Sequence, residues 1–489
     1  MSVDSQGLPG APAAPSRREE GAAGSPPELR RTLSVVGLTA FGIGSIIGTG
    51  IFVLTGTAAA NQAGPALVLS FVIAGCSCAL VALCYAELAA MIPVSGSAYS
   101  YAHAAFGEVL AWFIGWNLVL EYTFSVATVS VGWSGYVVSL LAQFGLHLPS
   151  VLAQAPFDRG AGSLAIVTTG AWVNVPAVLI VTAIATLCYV GIRESAGTNT
   201  IIVACKIAVI ALFVLAGVSY IHPVNWHPFI PPNTGHFGQF GWSGVIAGAG
   251  VIVFAYIGFD TISTCSQEAK RPERDLPLGI IASLAICSVL YMATVVVLTG
   301  MVSYRDLNVA APVALAIDRY AGLRWLGVPV KLGAILGMTS TMLVMTVGQA
   351  RIFMSMARDG LLPQWFARIH PRFRTPGNGT WVTGLAAAIV GGLLPVRILG
   401  ELVSIGTLLA FTTVCVGVLY LRRKRPDLPR PFRVPWPRFV CIAGALACAA
   451  MILALPRDTW IRLFVWTVIG FLIYGFYGRR NGRRRREAM

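Results

Sequence analysis

The sequence predicts an all-α protein that crosses a membrane many times, and three observations carry that prediction. Hydrophobic residues make up 56% of the 489 positions and charged residues only 11%, against about 25% charged in a soluble domain. Twelve apolar segments run through the chain, at approximately 33–57, 65–91, 107–143, 172–192, 198–220, 243–265, 277–301, 327–355, 379–396, 400–421, 437–455 and 459–478. A hydrocarbon core of about 30 Å takes about 20 such residues in a helix. The basic residues are also distributed asymmetrically. With the N-terminus in the cytoplasm, 26 of the 35 lie in tails, loops and segment ends on that side, including Arg271, Arg351, Arg422 and the run Arg483–Arg486. Eight lie opposite, among them Arg319, Lys331 and Arg397, and Lys206 lies inside a segment. This is the positive-inside pattern of a multi-pass protein with twelve crossings and both termini cytoplasmic, placed in the cell membrane.

The same distribution accounts for the net charge of +15 without a nucleic-acid partner. Residues 1–32 are rich in Pro, Gly, Ala and Ser and read as a disordered cytoplasmic tail. No apolar run follows a basic start there, so no cleavable signal is expected. The basic tail 479–489 ends in a run suited to anionic lipid. Ten cysteines fall in or at the ends of apolar segments. They read as small buried apolar residues and not as a disulfide framework.

The first segment carries Gly42, Gly44, Gly48 and Gly50 within nine positions. Each interior glycine costs about 1 kcal/mol of helix propensity relative to alanine, so the helix is expected to break at mid-membrane. A break exposes amide donors and carbonyl acceptors, which are tolerated at that depth only inside protein or around a cavity. The donor end suits a carboxylate. Close helix packing through small residues explains the same glycines, and the stretch alone leaves both readings open. The third segment is too long for one upright crossing and either tilts or continues along the interface.

The sixth segment repeats the pattern of the first: Phe254-Ala255-Tyr256-Ile257-Gly258-Phe259-Asp260 places a glycine and a carboxylate inside an apolar stretch. The two interrupted segments would be equivalent if segments 1–5 (33–220) and 6–10 (243–421) were two repeats, of opposite orientation since five is odd; segments 11 and 12 (437–478) follow them. Paired interrupted segments in two halves point to a transporter's binding site. Ionisable residues inside segments mark function by default. Glu121, Lys206 and Asp260 lie deepest. Glu87 and Glu108 sit near segment ends, where ion pairing or snorkelling suffices. Charge is costly at Lys206, which makes it a candidate proton carrier.

Six stretches carry a family resemblance: Gly42–Gly56, Pro93–Tyr101, Phe254–Thr264, Arg271–Ile280, Ala357–Pro363 and Arg430–Pro435. Together they resemble permeases of the amino acid–polyamine–organocation superfamily, and most of all the cationic amino acid transporter branch in its twelve-segment prokaryotic form. The resemblance implies a LeuT-like fold of five-plus-five inverted repeats with helices 1 and 6 broken, and helices 11 and 12 added. It implies uptake of L-amino acids by alternating access. The substrate carboxylate would meet amides around Gly48, Thr49 and Gly50. The ammonium would meet carbonyls near Ile46, Phe254, Ala255 and Ile257. Lys206 matches the lysine that stands in for a sodium ion in proton-coupled relatives, so the resemblance implies the proton as coupling ion, and no cofactor is expected. Glu121 and Asp260 would face the side-chain end of a cationic substrate, whereas Met345 would fill that space. Small neutral and cationic substrates both remain open.

An amino acid/polyamine exchanger and an amino-acid sensor that does not transport are the alternatives. The sequence holds no metal-ligand set, nucleophile elbow or phosphate loop, so an enzyme is not expected. His222, His227 and His236 share a loop without charged residues that reads as an external cap. The partners expected are the amino acid, protons and lipid; a small membrane subunit is left open.

Overall fold

The computed structural model describes residues 33–478 apart from 95, 160–165, 192–195 and 267. Both predicted tails lie outside the described residues. The principal helices are α1 (Val35–Ile46), α2 (Leu67–Met91), α3 (Glu108–Gln143), α4 (Val175–Val190), α5 (Ala196–Gly217) and α6 (Gly241–Tyr256). They continue as α7 (Pro272–Met301), α8 (Arg324–Arg358), α9 (Gly377–Leu393), α10 (Val396–Lys424), α11 (Pro437–Leu453) and α12 (Arg457–Ile473). Among the described residues, eight helical stretches are long and apolar enough to cross a membrane, and α4 and α11 are shorter apolar helices. The third segment is one continuous helix of 36 residues. Proline opens α7 and α11 and enters the first turn of α4, where its missing N–H costs nothing.

The two interrupted segments take different forms. α1 ends at Ile46, Ile47 swings to ψ 97°, and winding resumes at Gly50 in loose turns that reach Ala63. The first segment thus runs past its expected end at 57, because Gly64 (φ +60°) turns the chain only there. α6 stops at Tyr256, Ile257 is extended, and tight turns follow over Asp260–Cys265. Gly258 makes the corner with φ +124°, and a Cβ there would stand 2.7 Å from Ser45 Oγ. Both the backbone angle and the contact require glycine.

The helices sort into two groups. α2 packs on α7 and α6, and α1 on α7. α3 packs on α8, α10, α9 and α4, with α9 also against α4 and α8. α1 bridges the groups through α5 and α8. At one end Leu33 pairs with the strand-like residues after the sixth segment, its amide donating to Glu268 O (2.9 Å) while its carbonyl accepts from the Lys270 amide (2.9 Å). Arg351 of α8 binds Glu268 there (2.7 Å). Nearby, Glu87 of α2 takes a fork from Arg422 of α10 (2.8 and 2.5 Å) and the Val434 amide (2.7 Å). Tyr474 donates to Glu108 (2.9 Å). Both end-of-segment carboxylates are therefore partnered.

The cysteine expectation is corrected in part: Cys76 and Cys205 are exposed, and the other eight are buried. Composition cannot tell an apolar face that meets protein from one that meets lipid.

Candidate functional site

A small cavity lies between the two interruptions. The first segment contributes Ser45, Ile46, Gly48, Thr49 and Gly50; the sixth contributes Phe254 and Ile257. α3 adds Ser125 and Val129, and α8 adds Thr341 and Met345. Its free space is about 10 Å³, room for about one water-sized sphere. The helices thus leave little free space at the site.

The backbone around the first break is held by side chains from three helices. Lys206 of α5, 1% exposed, donates from Nζ to the carbonyls of Gly44 (2.5 Å) and Ile47 (3.0 Å). Thr341 of α8 lies 3.4 Å from the same Nζ and within 3.2 and 3.0 Å of the same two carbonyls. Tyr291 of α7 donates to the Ile46 carbonyl (2.8 Å). The last turn of a helix leaves its carbonyls without intrahelical partners, and these donors satisfy them. The last intrahelical bond of α1 runs from the Ile47 amide to Ile43 O (2.9 Å). The Gly48 amide lies beyond it, at the donor end of the second half.

The glycines divide between the two readings left open by the sequence. A Cβ on Gly50 would stand 2.3 Å from Ala255 Cα, and one on Gly42 would stand 2.5 Å from the Ile262 side chain. These two pack helices, although Gly50 also borders the cavity. The atoms nearest a Cβ on Gly48 would be those of the Thr341 side chain, at 3.1–3.4 Å.

Of the ten expected substrate contacts, Ile46, Gly48, Thr49, Gly50, Phe254, Ile257 and Met345 border the cavity; Ala255, Asp260 and Glu121 do not. Ala255 is pressed against Gly50. Asp260 is consumed locally: it accepts from the Tyr122 hydroxyl (2.8 Å) and from the Gly258 amide (3.2 Å), bracing the corner it follows. Glu121 lies one turn from Ser125 on α3, fully buried, with neither carboxylate oxygen hydrogen-bonded. Among the described residues, no carboxylate borders the cavity. Sequence reasoning missed Ser45, Ser125, Val129 and Thr341. The spacing of Glu121, Ser125 and Val129, four residues apart on one helix face, was the signal available for two of them.

Residues 33–474 match the amino acid permease family. The chain belongs to that family. Within the amino acid–polyamine–organocation superfamily, this permease is 46% identical over 453 residues to the methylthioribose transporter of Bacillus subtilis (strain 168), covering 93% of this chain and 94% of the relative. It is 44% identical over 456 residues to the branched-chain amino acid permease BcaP of the same organism, with the same coverage. It is 40% identical over 402 residues to the vacuolar cationic amino acid transporter 4 of Arabidopsis thaliana, covering 82% of this chain and 65% of that relative. The permease is a multi-pass membrane protein and a transporter, not an enzyme.

Proposed function

We propose that this permease takes up small neutral L-amino acids by alternating access, driven by protons that bind at Lys206. Twelve crossings, an inverted pair of five-helix repeats and cytoplasmic termini belong to the same reading. The observation that carries it is the Lys206 ammonium on the Gly44 and Ile47 carbonyls, 2.5 and 3.0 Å away, at the edge of the cavity. Protonated lysine ties α5 to the break in the first segment. Loss of the proton weakens that tie, and the arrangement of the two helix groups shifts. A proton acts in this way only through unequal affinity for the two arrangements.

The walls favour one substrate class over the other. Ile46, Val129, Phe254, Ile257 and Met345 are apolar, and Glu121 and Asp260 stand outside. A cationic side chain would meet no carboxylate there, at a high desolvation cost. Small neutral substrates therefore rank above cationic ones. A second reading, methylthioribose, is favoured by the 46% identity to a transporter of that name.

Uptake into proteoliposomes tests both readings, with alanine, valine, arginine and methylthioribose offered with and without an inward proton gradient. Gradient-driven accumulation of alanine supports the proposal. Accumulation of methylthioribose alone replaces the substrate, and gradient-independent uptake removes the proton.

A further inference from the structure

We infer that Ser125 is a specificity-determining residue that selects small amino acids carrying a β-hydroxyl group, such as serine, over their apolar isosteres. The inference rests on the proposed amino-acid function and names the substrate class within it.

Four hydroxyl-bearing residues border the cavity: Ser45, Thr49, Ser125 and Thr341. Three of the hydroxyls are engaged. Ser45 Oγ bonds Thr261 Oγ1 at 2.9 Å. Thr49 Oγ1 donates to Val129 O at 3.4 Å. Thr341 Oγ1 is shared among the Gly44, Ile47 and Gly337 carbonyls at 3.0–3.2 Å. Among the described residues bordering the cavity, Ser125 alone has a side-chain oxygen that is buried and without a hydrogen-bond partner; the residue is 2% exposed.

A helical serine ordinarily bonds the carbonyl one turn back, as Thr128 does on the same helix, to Phe124 O at 2.7 Å. Ser125 forgoes that bond. A buried hydroxyl left unpaired is costly, which marks it as waiting for a ligand group or a water. Its place fits the part of the ligand left over. The two breaks supply amides and carbonyls for the ammonium and carboxylate common to all amino acids. Ser125 and Met345 come instead from α3 and α8, across from the breaks, where the side chain would lie. Tight packing at Gly132, where a Cβ would stand 2.7 Å from Thr49 Cγ2, fixes α3 against the first segment and so fixes Ser125 relative to the cavity. A β-hydroxyl gives Ser125 both a donor and an acceptor, while a methyl in its place leaves the serine unpaired beside it.

The test compares L-serine with L-2-aminobutyrate, which differ only by hydroxyl against methyl on the β-carbon. Competition against labelled alanine on the purified, full-length protein gives the affinity ratio. Wild type is expected to bind serine about three- to tenfold more tightly, the range for one neutral hydrogen bond. Ser125→Ala is expected to bring the ratio to one or invert it, and Ser125→Thr, which keeps the hydroxyl, to preserve a preference for serine. Thermal unfolding of each variant establishes that it is folded. A wild-type ratio near one, or a ratio unchanged in folded Ser125→Ala, overturns the inference while leaving amino-acid transport standing. If wild type binds methylthioribose and no amino acid, the proposed function falls and this inference falls with it.

Discussion

Replacing Lys206 with methionine keeps most of the side chain's volume and removes its charge. Two carbonyls lose their ionic donor, those of Gly44 and Ile47. Thr341 Oγ1 reaches both, but a hydroxyl has one proton and serves one carbonyl at a time. One buried carbonyl is therefore left unserved, at a cost of about 1–3 kcal/mol. That cost falls on the arrangement described above, in which both carbonyls face Lys206. A shift of about 1.4 kcal/mol changes a two-state population tenfold. Substrate affinity in Lys206→Met should therefore fall about 5- to 150-fold. If the proposed coupling runs through this residue, proton and substrate strengthen each other's binding equally by linkage. In the variant, binding should lose its dependence on pH, and accumulation driven by a pH gradient should vanish. Equilibrium binding at a series of pH values and gradient-driven uptake in liposomes are the measurements. A variant that still concentrates substrate as wild type does would refute the reasoning and move the coupling proton elsewhere, with Glu121 next in line.

The other predictions concern packing, selectivity and the cytoplasmic end. Gly50→Ala drives a methyl into the Ala255 backbone and should cost about 1–3 kcal/mol, with loss of binding and a lower unfolding temperature. Gly48→Ala places its methyl nearest the Thr341 side chain and should fold nearly normally while weakening binding, so equal unfolding temperatures for the two variants would contradict the assignment. Met345→Ser enlarges the cavity beside Ser125 and should improve binding of arginine and lysine relative to alanine; an unchanged order in competition assays would remove Met345 from the site. Glu87→Ala leaves Arg422 without its carboxylate and should destabilise by about 3–5 kcal/mol, read as a fall in unfolding temperature, whereas a fall of only a degree or two would show the ion pair to be dispensable.

The backbone breaks were legible because glycine clusters inside apolar segments have few other causes, and Lys206 because a charge there is conspicuous. What the glycines do individually was not legible. Gly50 faces the Ala255 backbone and Gly48 the Thr341 side chain, a difference set by contacts far along the chain. Asp260 looked like a substrate group, but local turn geometry claims its carboxylate for Gly258. Lys331 counted as one more basic residue on the outer side; it is 1% exposed and bound to Asp318 at 2.8 Å. Ser125 and Thr341 did not stand out because a serine or threonine hydroxyl in an apolar helix usually bonds its own backbone; Thr341 does so at Gly337 O and reaches the break as well, whereas Ser125 does not.

The cation at the first break is part of the chain. A dissolved ion fills such a place according to its concentration outside, so the strength of the clasp would follow the salt of the medium by mass action. A lysine attached to a neighbouring helix is present at a fixed effective concentration set by its tether. Exchange of sodium for potassium or choline cannot change its occupancy. Under the proposed coupling, the chemical variable left to it is whether it carries a proton, so the Gly44–Ile47 clasp would answer to pH and not to salt.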